Sequence, residues 1–181
     1  MNKDEIKKIK NTIINLNKKN WDSLKLTDVL DKNNKIQKKI KNKNDLFKHF
    51  NKYIDYLLKN NSSTVEKSTS KDMLFEVIML RFDILEEMKI PIIKIFTYYK
   101  FKPNKLILFL PSFLDSILLI ASLANINING IKGYLKIKGI FLIYIATFLV
   151  WVEDNTDGLE KTMNKLNKYI DSANEIFKKI K

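Results

Sequence analysis

Asp72 to Met88 reads DMLFEVIMLRFDILEEM, and its apolar spacing is that of a helix covered on most sides. Leu74, Val77, Ile78, Arg81, Leu85 and Met88 recur at helical steps. Phe75, Met79 and Phe82 form a second apolar row beside them, and Glu76, Asp83 and Glu87 share the narrow strip left for water. Such a helix belongs at the centre of a domain. Arg81 is the single arginine of the chain, every other basic residue being lysine. Its rigid fork of donors suits a buried structural partner, a carboxylate above all, or an anion at an interface.

Outward from this helix, composition narrows the chemistry. The 181 residues form one domain, or one with a small appendage. Without cysteine, thiol nucleophiles, disulfides and cysteine zinc sites are excluded, and one histidine, His49, leaves little for metal ligation or a Ser-His-Asp triad. His49 lies among Lys48, Asn51 and Lys52 and is expected on an exposed helix face. The reading is of a non-enzymatic protein with no metal and no cofactor. The formal charge is +13, and residues 1–71 hold 18 lysines against 8 acidic residues, a net +10. Such asymmetry points to nucleic acid or an anionic membrane surface, or simply to a lysine-rich composition. The N-terminus has neither a signal peptide's apolar core nor its cleavage site. Leu106 to Ile126 is long enough to span a bilayer but contains Pro111, Ser112, Asp115, Ser116, Ser122 and Asn125, so it is expected as a buried helix.

In chain order, apolar periodicity predicts helices over about Lys3–Asn20, Lys25–Leu30, Lys35–Lys41 and Asp45–Leu58, then a polar linker at 61–71. Beyond it come the Asp72 helix, one through Tyr99, one from Phe101 to Ala124 kinked at Pro111, one from Ile131 to Val152, and a last one capped by Asp157 and Glu160. No strand, repeat or glycine-rich phosphate loop is visible. The expected fold is all-α, about nine helices, with an N-terminal domain at 1–60, the linker, and a C-terminal domain at 72–181. NINING, Asn125 to Gly130, is a turn whose glycine can take positive φ. On the last helix, Leu159, Met163, Leu166, Ile170, Ala173, Phe177 and Ile180 alternate in steps of four and three. This seam wants another helix, either that of Tyr134 in the same chain or its own copy in a homodimer.

Two regions carry a family resemblance. Residues 11–55 resemble the N-terminal domain of TetR-type regulators: Trp21-Asp22-Ser23-Leu24-Lys25-Leu26-Thr27-Asp28-Val29 looks like the turn and positioning helix, and Lys43-Asn44-Asp45-Leu46-Phe47 like the helix after the recognition helix. Residues 72–171 resemble the ligand-binding half of a TetR-like branch, the Coq nine-type ubiquinone-biosynthesis accessory proteins and their bacterial relatives. There the matching residues are Asp72-Met73-Leu74-Phe75, Met79, Arg81-Phe82-Asp83, Gly139, Ile143-Tyr144, Trp151, Asp154, Asp157-Gly158-Leu159 and Lys161-Thr162-Met163. The segment from Thr27 to Leu46 is about one helical turn shorter than in a working regulator, with Lys35 to Lys41 where the recognition helix stands. This departure, a degenerate helix-turn-helix, favours phosphate contact over specific DNA readout.

The resemblance implies an elongated apolar cavity holding an isoprenoid quinone or other lipid, presented to the demethoxyubiquinone hydroxylase. Phe75, Met79, Phe82, Phe113, Ile117, Ile140, Tyr144 and Phe148 are the candidate lipid-binding residues, with their filling of one another's volume as the alternative. An aromatic pair that docks the hydroxylase in eukaryotic members reads Gly133-Tyr134 here, so Tyr134 is the candidate docking residue. Leu159, Met163, Leu166, Ile170 and Phe177 are the candidate dimer contacts. The resemblance also implies a cytoplasmic protein, peripheral on the inner membrane. Phe177, Ile180 and nearby lysines, or the apolar faces of Tyr98 to Leu110, are the candidate membrane contacts. A TetR-family regulator sensing a hydrophobic ligand is the alternative function on the same scaffold.

Overall fold

The structure, a computed structural model, describes residues 1–28 and 40–179. It is all-helical, with eight α-helices among the described residues: α1 Lys3–Lys18, α2 Lys43–Asn61, α3 Ser70–Glu86, α4 Lys89–Tyr99, α5 Pro103–Ile107, α6 Leu110–Leu123, α7 Gly130–Val152 and α8 Glu160–Lys179. The predicted recognition helix Lys35–Lys41 falls almost wholly outside the described residues. Of the helix expected at Lys25–Leu30, a single 3-10 turn, Leu26–Asp28, is described.

Local chemistry explains where the helices start. Asn2 accepts from the Glu5 N–H at 2.8 Å while the Glu5 carboxylate accepts from the Asn2 N–H, a reciprocal cap for α1. Asn42 caps α2 by accepting from the Asp45 N–H at 3.0 Å, and the Thr69 hydroxyl does the same for Asp72 at the start of α3. All three prolines sit in first turns: Pro91 in α4, Pro103 opening α5 and Pro111 second in α6. A first turn has no carbonyl four residues back to lose, so proline is tolerated there and not within. The expected long helix kinked at Pro111 is accordingly two helices, with the chain breaking at Leu108 and Phe109. The 14-residue α6 is too short to cross a bilayer, which takes about 20 residues. Among the described residues, α7 is the helix long and apolar enough to do so by length and composition.

The chain forms two compact units, residues 1–58 with 84–113, and residues 59–83 with 114–181. These limits differ from a linear division at 61–71, because residues 84–113 cluster with the N-terminal segment. In the first unit α1 packs on α4. Lys94 of α4 donates from Nζ to the carbonyls of Leu16, Asn17 and Lys19 at 2.7, 3.3 and 3.2 Å, closing the C-terminal end of α1 where carbonyls lack helical partners. An aromatic cluster fills this unit. Phe47 lies 4.3 Å from Phe109 and 5.9 Å from Phe113 between ring centroids, and Tyr99 lies 5.0 Å from Phe109 and 6.3 Å from Trp21. His49 is half-buried rather than fully exposed.

In the second unit α7 packs along α8. From α3, Leu74, Val77, Ile78, Arg81 and Phe82 are buried here, as the spacing predicts, while Asp83 is exposed and Glu76 half-buried. Arg81 is 1% exposed; its Nε donates to the Tyr144 hydroxyl at 2.9 Å and a terminal nitrogen to the Ser116 hydroxyl at 3.4 Å. These contacts tie α3 to α6 and α7.

Candidate ligand-binding site

The second unit contains an open cavity of about 350 Å³ with walls from four segments. The start of α3 supplies Ser70, Lys71 and Leu74, and the loop before α7 supplies Asn125, Ile126 and Asn127. Lys136, Gly139, Ile140 and Ile143 come from α7, and Ile170, Ala173 and Asn174 from α8. Residues 136, 139, 140 and 143 are one helical face, so α7 presents them together. Leu74, Ile126, Ile140, Ile143, Ile170 and Ala173 make the apolar wall. Lys71, Lys136 and three asparagines make it polar elsewhere.

The polar members are held in place. Lys71 pairs with Asp171 of α8, and this hydrogen bond, ahead of the opposing effect of desolvation, holds its ammonium above the ordinary lysine value. Lys136 Nζ donates to the Asn127 carbonyl at 3.2 Å, and Ser70 donates to the Asn125 carbonyl at 3.2 Å. The loop is further fixed by Gly133, where an added Cβ would stand 1.9 Å from the Ile128 backbone. Gly130 takes φ +67°, the conformation expected of the glycine in this turn.

Of the eight residues proposed from the resemblance to hold lipid, Ile140 lines this cavity. Phe82, Ile117 and Tyr144 are buried in the same unit but fill volume there. The Phe82 ring stacks on Tyr144 at 5.5 Å and 18°, and lies 6.1 Å from Trp151, itself 5.5 Å from Phe148. Phe75, Met79 and Phe148 are half-buried. Phe113 belongs to the first unit, its ring against Phe47. Phe82, Tyr144, Phe148 and Trp151 thus pack on one another, and the apolar part of the cavity wall is aliphatic. Sequence reasoning missed Lys71, Lys136 and Asn174 and named Gly139 without a place in the site; a glycine amid the bulky face of α7 was the signal that a wall there is thin.

The proposed dimer seam is largely used within the chain. Leu159, Leu166 and Ile170 are 5%, 0% and 4% exposed, and Ile170 lines the cavity. Met163 is 39% exposed, and the side chain of Phe177 lies outside the described residues. Tyr134 is 59% exposed on α7, with Lys138 Nζ 4.4 Å from its ring centroid. Beside Tyr134, Gly133 has no room for a side chain, since the Ile128 backbone occupies the space a Cβ would take.

The start of α8 also differs from expectation. Asp154, fully buried, accepts from the N–H of Thr156 and Thr162 at 3.0 and 2.8 Å and from their hydroxyls at 2.5 and 2.7 Å. Asp154 therefore caps α8 from six residues upstream, in place of the Asp157 expected. Burial opposes its ionisation, but these hydrogen bonds outweigh burial and hold its carboxyl well below the usual range. Among the described residues, no group of three histidine, aspartate or glutamate side chains could hold a metal. No family model matches this chain, and no curated protein matches it.

Proposed function

We propose that the chain is a non-enzymatic binding protein for an amphiphile, held in the cavity between α3, α7 and α8. The carrying observation is the composition of that cavity: an aliphatic wall of Leu74, Ile126, Ile140, Ile143, Ile170 and Ala173, with Lys136, asparagines and the Lys71–Asp171 pair beside it for a polar head. At about 350 Å³ it lies near the lower end of small-molecule sites, roughly 300–1,000 Å³, so it suits a head group with a short apolar segment rather than a whole polyprenyl tail. The resemblance to Coq nine-type proteins supports the finer reading, an isoprenoid quinone precursor offered to a hydroxylase docked at Tyr134. The N-terminal charge of +10 favours the second reading, a regulator that couples such a ligand to DNA.

The test is native mass spectrometry with lipid extraction on the purified protein, repeated with Ala173→Trp, which fills the cavity from α8. The expected result is a bound amphiphile in the parent chain, about tenfold weaker uptake of a decyl-tailed ubiquinone analogue by the variant, and unchanged helical content. Equal uptake by both chains would remove the cavity from the reading. Quinone uptake together with a shifted DNA fragment at physiological salt would favour the regulator.

A further inference from the structure

A different segment, in the first unit, is built unlike a water-facing loop. From the end of α4 to the first residue of α6, Phe101 is 82% exposed, Ile107 62%, Leu108 50% and Leu110 39%. Single exposed apolar residues are ordinary, but four within one short segment mark an interaction surface. The ends of the segment are anchored, because Tyr99 and Phe109 are buried and meet edge to face at 5.0 Å. The exposed residues are therefore presented by a fixed loop around the short helix α5.

Charge identifies what such a tip meets. From Met88 to Leu114 the sequence has Lys89, Lys94, Lys100, Lys102 and Lys105 and no aspartate or glutamate. Lys89 pairs with Glu86, and Lys94 closes the end of α1. Lys100, Lys102 and Lys105 accompany the exposed apolar residues, Lys102 Nζ standing 3.2 Å over the Tyr98 ring and Lys100 Nζ 5.0 Å from the Phe101 ring centroid. A second copy of the same tip would set these lysines against themselves in an isologous contact. Nucleic acid would neutralise the lysines but leave the phenylalanine, isoleucine and leucines in water. A membrane surface with anionic lipid satisfies both parts: apolar side chains enter the acyl boundary while lysine ammonium groups stay among the phosphates.

We propose that Lys100 to Leu110 is an interfacial anchor that inserts Phe101, Ile107 and Leu108 into an anionic lipid surface. The anchor lies in the first unit and stands independently of the cavity in the second. The test uses phosphatidylcholine vesicles with and without phosphatidylglycerol and the full chain carrying Phe101→Trp. Trp21 and Trp151 are both buried, so the new side chain dominates any change in emission. The expected result is a blue shift and quenching by brominated acyl chains on the anionic vesicles, weakened by added salt. The expected loss in bound fraction for the double substitution Phe101→Ser, Ile107→Ser is about tenfold, with helical content unchanged because both residues are exposed. No partitioning to anionic vesicles, or equal partitioning by the double variant, overturns the proposal. So does a concentration-dependent dimer abolished by the same substitutions, which would make the occupant a second copy.

Discussion

Gly133 and Gly130, three residues apart, respond to different physics. At Gly130 nothing lies within 4 Å of an added Cβ, and the cost of alanine is that of φ +67°, about 1 kcal/mol. At Gly133 the Cβ would meet backbone at 1.9 Å, so the loop before α7 must move, and the expected cost is about 3 kcal/mol. Urea unfolding of the two alanine variants checks the order; equal losses would mean the loop yields freely. At this scale the sequence was legible in part. The isolated arginine and its helical row announced a buried Arg81. Its partners Tyr144 and Ser116, 63 and 35 positions away, obey no local spacing and could only come from the tertiary fold.

Helices were the most legible elements, because apolar period and capping residues are local properties. Their joints were less so: Pro111 announced an interruption, but only the fold shows that the chain restarts a helix there. Asp157 stood in capping-box spacing, yet Asp154 does the capping, since Gly158 at φ +63° and Leu159 at φ +58° turn the chain so that a more distant carboxylate reaches the Thr162 N–H. Asp154→Asn is expected to lower stability at pH 7 by about 2 kcal/mol, the scale of charge-assisted hydrogen bonds lost on neutralisation. Because the folded carboxyl titrates below its ordinary value of 3.8, this stabilisation is complete above that value and fades as pH falls through the folded one. The gap between parent and variant in urea midpoint should therefore narrow below pH 3.8. A gap that is constant with pH would show that the ionised form is not what caps the helix. The seam on α8 was legible as a seam but not as to its partner, because a heptad pattern is the same whether the facing helix is α7 or a second chain. With Leu166 fully buried, Leu166→Lys should unfold the second unit rather than release monomers. Circular dichroism beside sedimentation separates the two, and a well-folded variant of reduced mass would restore the dimer contact.

At the scale of the whole molecule, all-helical architecture was written in the sequence, whereas the grouping of its segments was not. The polar linker at 61–71 marks a change of composition, but which helices share a core depends on long-range packing that composition does not encode. The same holds for the cavity. Aromatic residues drew the reading towards Phe82 and Tyr144, which are large enough to fill a core between them, while the walls that leave space are aliphatic residues beside a glycine.

The two units each enclose one of the chain's two tryptophans, Trp21 in the first and Trp151 in the second, both essentially inaccessible to water. Nature has thus given each half its own fluorophore. Replacing either with phenylalanine leaves a chain whose ultraviolet emission speaks for one half alone, so that two melting curves, laid over each other, would separate a single cooperative transition from two sequential ones.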